Sequence, residues 1–480
     1  MITWHGRLAR VSPSITGEAP VPRMKFLTFD LGTTLYKVAL FDETGKMLAL
    51  QRVTPQVLHP KPDWWEMDPR TFRQALLEAA RALREKVGGF DDVAAVSFAT
   101  QANSFMLLDE HDEALTPIVL WPDQRAAELR EELQSISQLP ELQQRTGMPR
   151  FSPGLALAKV LRWKQTNARV LEQTKRLCYL SDLFTLWMTG RHATEGGVAG
   201  ISGAMDVKAF GWWDEMLARI GMRIDQMPPV LRAGTELGAL RNEVAAEMGL
   251  PPSCRFVVGT LDQYAGAIGT GTTESARVCE TTGTVLSAVR CSDQFENSPE
   301  IFQGPAFRAH RFFQMSFSST SANLLEWYRN SLPDRPSFEE LTQLAAAAPP
   351  SDLVIEPYDD RGSIEKSFRN VRPEHTAGQV VRAIMFSVAQ ALNRQVEQLC
   401  GNDRPSEIRS AGGAAKNDFW LQMKADVLGV PFVAMQCEEP TSLGAAILAA
   451  SACGLGSVEA LANRWARPRK RFEPRHNGVK

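Results

Sequence analysis

Two short segments of this 480-residue chain set hydroxyls, and in one case an acid, around a glycine turn between strand-forming runs. That combination can grip phosphate. The first is Asp30-Leu31-Gly32-Thr33-Thr34, followed by Lys37. A carboxylate at a strand end can hold a hydrated Mg²⁺, and the turn hydroxyls, amides and lysine can meet phosphate oxygens. The same residues would also make an ordinary hairpin turn. In the second half of the chain Thr281-Thr282-Gly283-Thr284 repeats the pattern, and two facing hairpins can hold one polyphosphate from opposite sides. A third segment places Asp262 between the apolar run 255–258 and a small-residue helix start, where it can serve as a general base in a cleft or as a helix cap. A fourth, Gly412-Gly413-Ala414-Ala415-Lys416-Asn417, lies between a strand-like run and a helix. Its glycines would let a base and ribose lie against backbone, or would let strand and helix pack closely. The chain has no GxxxxGK[ST] and no HRD/DFG set, which excludes P-loop and protein-kinase chemistry.

Positioning these groups requires layered elements. Strand-like runs alternate with amphipathic helices at 69–86, 126–135, 379–398 and 418–428, which predicts an α/β architecture in both halves. The length exceeds what one core usually serves and predicts two domains. GLPPS at 249–253 marks the break, giving domains 24–252 and 253–460, with a disordered leader at 1–23 and a basic tail at 461–480. The leader lacks the apolar core of a secretory signal. A net charge of −2 gives no pull toward nucleic acid, and no run reaches the ~20 apolar residues of a membrane span. The Ala- and Gly-rich stretch 443–455 reads as a packed internal helix. Seven scattered cysteines without a CxxC pair predict reduced thiols in a cytoplasmic protein.

At these residues the chain resembles the FGGY carbohydrate kinases, the family of glycerol kinase, xylulokinase and gluconokinase. The resemblance runs from residue 25 to about 456 through DLGTT (30–34), DWWEMDP (63–69), LLDE (107–110), LWPDQR (120–125), GTLDQYAGAIGTG (259–271), TTGT (281–284), SFRNVRPEHTAGQVVRAIMFSVA (367–389), GGAAKN (412–417) and EPTSLGAAILA (439–449). It implies two actin-like (RNase H-like) ATPase domains facing a central cleft, Mg·ATP held mainly by the second and the sugar mainly by the first. Carried over by position, Asp262 is the catalytic base and Asp30 the metal-side carboxylate. Thr33, Thr34 and Lys37 line one phosphate hairpin, although many relatives have Arg or Ser in place of Lys37. Gly283 and Thr284 form the other hairpin, and Gly412, Gly413 and Asn417 border the adenosine pocket. Gln101, Asn103, Trp121, Asp123 and Gln263 match sugar-facing positions. Where xylulokinase-like and gluconokinase-like proteins have Gln-Met-His and glycerol kinases Gln-Arg-Glu, this chain has Gln101-Ala102-Asn103. A ketose or polyol of five or six carbons is therefore the expected substrate, and a homodimer is left open. The alternatives on the same fold are an actin-like ATPase and a non-catalytic sugar-responsive protein. Retention of Asp30, Asp262 and both hairpins argues against the latter, and the sugar-side motifs argue against the former.

Overall fold

A computed structural model describes residues 24–349, 351–358, 363–401 and 403–475. The leader expected at 1–23 lies outside the described residues.

The run KFLTFDL forms strand β1 (Lys25–Leu31), and six of its seven residues are buried. Such a continuous apolar run suits a central strand covered on both faces. It pairs antiparallel with β2 (Tyr36–Asp42), which pairs antiparallel with β3 (Met47–Val53). On its other side β1 runs parallel to β4 (Val93–Thr100). The helix α1 (Pro69–Val87) makes the crossover from β3 to β4. Its start is set by Asp68, whose side chain accepts from the Arg70 amide, and by proline at the first turn; Gly88 ends it in the left-handed region. Loss of the Asp68 cap would cost about 1 kcal/mol. The sheet is completed by β5 (Glu236–Ala239) and β6 (Arg255–Val257), giving the order β5-β6-β4-β1-β2-β3, with β7 (Thr260–Leu261) also paired to β4.

The second half repeats this plan. Strands β8 (Arg277–Thr282), β9 (Leu286–Ser292), β10 (Phe302–Pro305), β11 (Phe312–Ser318), β12 (Glu407–Ala411), β13 (Phe432–Met435) and β14 (Pro468–Phe472) lie in the order β10-β11-β9-β8-β12-β13-β14. As in the first sheet, a central strand pairs antiparallel with its hairpin partner and parallel with a strand reached by a crossover, and the far edge is antiparallel. The mixed α/β architecture is therefore a duplication, each sheet with its own apolar cluster.

A third cluster fills a smaller lobe on the first half, where four short strands (66–67, 105–108, 118–119, 176–179) are covered by helices that include α2 (Ala156–Thr166). A fourth joins the halves. It contains Phe26, Ala39 and Phe41 from the first sheet, Cys279, Val289 and Met315 from the second, and two helices between them, α3 (Asp262–Gly269) and α8 (Pro440–Ala452). Helices α4 (Ala322–Ser331), α5 (Phe338–Ala347), α6 (Ala377–Cys400) and α7 (Asp418–Leu428) belong to the second half.

Helix α8 is buried on every side from Ser442 to Ala450. It crosses α3 at unusually short range: a Cβ on Gly269 would lie 1.8 Å from the Pro440 carbonyl oxygen, and one on Gly444 1.9 Å from that of Ala265. Only glycine permits this crossing at either point.

Two boundaries read from the sequence shift. Strands β6 and β7 pair with the first sheet, so that sheet extends past the break at 249–253 and ends at Leu261. The basic segment expected as a tail from 461 is instead helix α9 (Val458–Trp465) and edge strand β14. Its charges are matched locally: Arg469 and Lys470 pair with Asp418 at 2.9 and 2.7 Å, and Arg471 with Glu407 at 2.6 Å. Among the described residues no helix is long and apolar enough to cross a membrane.

Candidate active site

The ends of three neighbouring strands bring the first set of groups together. Asp30 lies near the end of β1, Gln101 directly after β4, and Asp262 directly after β7. Ligand-binding groups of open parallel sheets collect at such carboxyl ends. Asp30 faces Lys37 across the β1–β2 hairpin, and the Lys37 Nζ donates to Asp30 Oδ2 at 3.2 Å. The same ammonium is 2.9 Å from Glu439 Oε2, a buried carboxylate that arrives from the start of α8. Glu439 Oε1 pairs in turn with Arg52 on β3. Burial pushes the Asp30 carboxyl above its ordinary range against the pull of Lys37. Burial also opposes charge on Lys37, but Asp30 and Glu439 outweigh it and raise its pKa.

Asp262 opens α3, and its Oδ1 accepts from the Gln263 amide at 2.7 Å. Burial, and secondarily the charge of Asp30, raise its pKa from 3.8 to about 7. A carboxyl raised in this way can accept a proton near neutral pH, which suits a general base. Gln263 faces the second half: its Oε1 accepts from Ser287 Oγ on β9 at 2.7 Å, and Ser287 Oγ lies 2.9 Å from Thr281 Oγ1 on β8.

Beside the second hairpin is a cavity of about 800 Å³, lined in part by Gly283, Thr284, Gly413 and Asn417, with Leu325 and Phe338 on its apolar side. Gly412 precedes it with φ +79. Asn417 is also the cap of α7, its Oδ1 accepting from the Trp420 amide at 3.0 Å while Nδ2 donates to Thr342 at 2.8 Å. Beneath this hairpin Lys424 and Glu280 form a fully buried ion pair at 2.9 Å, and Lys424 also donates to Thr282 Oγ1 at 2.7 Å. Burial lowers the Lys424 pKa, with Glu280 acting against it.

On the sugar side three of the expected hydroxyl readers already have protein partners. Gln101 Nε2 donates to the Gly32 carbonyl at 3.1 Å, and Oε1 accepts from Thr33 at 3.1 Å and Ser104 at 2.9 Å. It braces the first hairpin. Asn103, in left-handed backbone with φ 59, donates to the Ile201 carbonyl at 3.2 Å and accepts from the Ala156 amide at 3.1 Å, capping α2 from a distance. Asp123 is fully buried; both its oxygens accept from the Arg125 guanidinium, and Oδ2 also accepts from the Trp65 amide. Trp121, by contrast, is 44% exposed, and its Nε1 donates to Thr33 Oγ1 at 2.6 Å. Thr34 is exposed at the turn.

Sequence reading missed Glu439, Lys424 and Lys159. Lys159 is fully buried and donates to the carbonyls of Leu120, Trp121 and Gly154 at 2.9, 3.2 and 3.1 Å, fixing the Trp121 loop. Burial lowers its pKa to about 7. A lysine within a helix otherwise buried on that face was the available signal for Lys159 and Lys424; Glu439 had none beyond its place in EPTSLGAAILA.

The family model described as the N-terminal domain of the FGGY family of carbohydrate kinases matches residues 25–269, and that of the C-terminal domain residues 277–453. The chain is 28% identical to the xylulose kinase of Escherichia coli K12 over 84% of this chain and 85% of that protein. It is 27% identical to the xylulose kinase of Bacillus subtilis 168 over 95% and 94%. The ligand-bound xylulose kinase structure from Lactobacillus acidophilus superposes with a TM-score of 0.86, covering 94% of each chain at 23% identity.

Proposed function

Since the chain belongs to the FGGY family of carbohydrate kinases, which phosphorylate sugars with ATP, we propose that its acceptor is a ketose or polyol of five or six carbons and that Asp262 is the base. The observation that carries this reading is the placing of Asp262, with a pKa of about 7, between the Asp30–Lys37 hairpin and the hairpin that borders the cavity. Phosphoryl transfer needs alignment and charge neutralisation more than covalent help. Asp262 accepts the hydroxyl proton late, while Lys37 and the turn amides of Thr33 and Thr34 meet the transferred group from one side and Gly283 and Thr284 from the other. The cavity takes the adenosine against Gly412, Gly413 and Asn417.

Asp30 and Asp262 are neighbouring carboxyls whose pKa values are both raised, a pair in want of positive charge. Among the described residues no three His, Cys, Asp or Glu side chains form a cation cage. This donor set fits Mg²⁺, which keeps waters and phosphate oxygens as ligands and needs only one or two carboxylates. Asp30 would hold it, and when bound it neutralises charge on the phosphates.

With Gln101, Asn103 and Asp123 engaged elsewhere, the sugar meets the exposed face of Trp121, the space left at Ala102 and the carboxylate of Asp262. The cysteines are free thiols, five of them buried, which fits a reducing cytoplasm. The test is sugar-dependent ADP formation across a panel of pentuloses, hexuloses, pentitols, gluconate and glycerol. A pentulose, hexulose or pentitol with the highest kcat/KM supports the assignment. Glycerol or gluconate in first place overturns the substrate class, and no sugar-dependent turnover at all overturns the proposal.

A further inference from the structure

Glu439 occupies the cap position of α8, yet its side chain makes no cap bond. Its two oxygens go instead to Lys37 and Arg52, both on the first sheet. Lys37 is the group expected to meet the transferred phosphate, and its side chain is 25% exposed. Two of its three N–H donors are held, one by Asp30 and one by Glu439. We propose that Glu439 is a positioning residue that holds Lys37 in reserve and yields it to the γ-phosphate, a reading that rests on the kinase function above.

The argument is one of charge balance. A buried carboxylate stripped of its only cation is strongly penalised, so a lysine pinned by a single buried acid would be reluctant to turn to a ligand. Glu439 is not in that position, because Arg52 remains on its other oxygen when Lys37 leaves. Asp30 likewise gains a cation from the metal that accompanies the nucleotide. Lys37 is therefore exchangeable, and Glu439 sets the resistance to the exchange. Without phosphate the lysine stays on its two acids; with phosphate it becomes the third partner of a more highly charged group. Glu439 also reaches from the start of α8 to the first hairpin, so the exchange reports to the helix between the two halves. A residue that merely tied α8 to the hairpin would affect every nucleotide alike.

The experiment is calorimetric titration of the full chain with Mg·ADP and with a Mg-bound ATP analogue carrying an imido β–γ bridge. Glu439→Gln keeps the shape and removes the competing charge. It should tighten binding of the analogue by about three- to tenfold and move Mg·ADP by less than about twofold, since ADP lacks the phosphate that Lys37 meets. Arg52→Gln leaves Glu439 dependent on Lys37 and should weaken the analogue by a similar factor, again sparing ADP. Opposite signs from the two variants support the proposal. Weaker analogue binding by Glu439→Gln, or equal shifts for both nucleotides, overturns it and leaves Glu439 as a structural tie. Should Glu439→Gln fail to fold, Arg52→Gln decides alone: unchanged or tighter analogue binding overturns the exchange. Wild-type protein that binds both nucleotides but phosphorylates no sugar sinks the kinase reading while leaving the nucleotide contrast measurable.

Discussion

The two glycine hairpins occupy the same place in the duplicated fold and distribute charge in opposite ways. Two residues before Gly32, Asp30 faces Lys37 across the strands; two residues before Gly283, Thr281 faces Ser287. The first hairpin thus carries an ion pair at the position where the second carries two hydroxyls. The second hairpin has its charges one step earlier, where Glu280 turns into the core and meets Lys424 with neither side chain exposed. Its counterpart in the first hairpin is Phe29, an ordinary core residue. An ion pair at the cleft can exchange partners with a ligand, whereas one sealed in the core can only fix the backbone above it. In the function proposed above, the exchangeable charge thus belongs to the first hairpin, while the second offers phosphate a backbone held rigid from beneath.

The sharpest test of the chemical side is Asp262→Asn. Folding and nucleotide binding should survive, and sugar-dependent turnover should fall by at least ~10², the lower range for losing a general base. Turnover within a few-fold of wild type would remove Asp262 from the chemistry.

Next in size is the contrast between the two lysines. Lys424→Met leaves Glu280 buried and unpaired and should cost about 3–5 kcal/mol in urea unfolding. Lys37→Met should cost clearly less, since Glu439 keeps Arg52 and the Asp30 carboxyl, already raised by burial, can take up a proton, but it should depress turnover. Equal losses of stability would erase the distinction between the hairpins.

A smaller effect is expected at the hydroxyl pair. Ser287→Ala removes the partner of Gln263, and a net hydrogen bond of about 0.5–1.5 kcal/mol corresponds to a fall in kcat/KM of roughly two- to tenfold. No change would mean that the link from Gln263 to the second hairpin has no bearing on catalysis.

The smallest effect concerns pH. The Asp262 carboxyl is raised from 3.8 to about 7 in the folded chain, so its contribution to stability is full below pH 3.8 and is lost as pH rises through 7. Asp262→Asn escapes that loss. Its melting temperature should exceed that of wild type by roughly 2–4 °C at pH 8, with the gap closing toward pH 4. A gap independent of pH would place the strain elsewhere.

What could be read in the sequence was local. DLGTT, TTGT and the glycines before Asn417 are contiguous, and a glycine turn between apolar runs has few other ways to fold, so the hairpins and the α/β layering were legible. The destinations of side chains were not. Gln101, Asn103 and Asp123 stand at positions that suit a sugar reader, but their hydrogen bonds go to Gly32, Ile201 and Arg125, and nothing in their spacing records that. Glu439 was invisible for the opposite reason: its partners Lys37 and Arg52 lie in the other half of the chain. The basic end was misjudged because Arg469, Lys470 and Arg471 look like a solvated run until Asp418 and Glu407 are placed beside them.

The contact of Gly269 and Gly444 with the opposing backbones has a mechanical consequence. With no side chain between them, the two central helices bear directly on each other, and that bearing lies within two turns of Asp262 and beside Glu439. For any rotation of one half against the other about this fulcrum, displacement grows with distance from it. Under such a rotation the far edges of the two halves would sweep furthest, while Asp262 and Glu439, on the short arm of the lever, would scarcely move. A single methyl at either glycine would shim the bearing and displace both carboxylates at once.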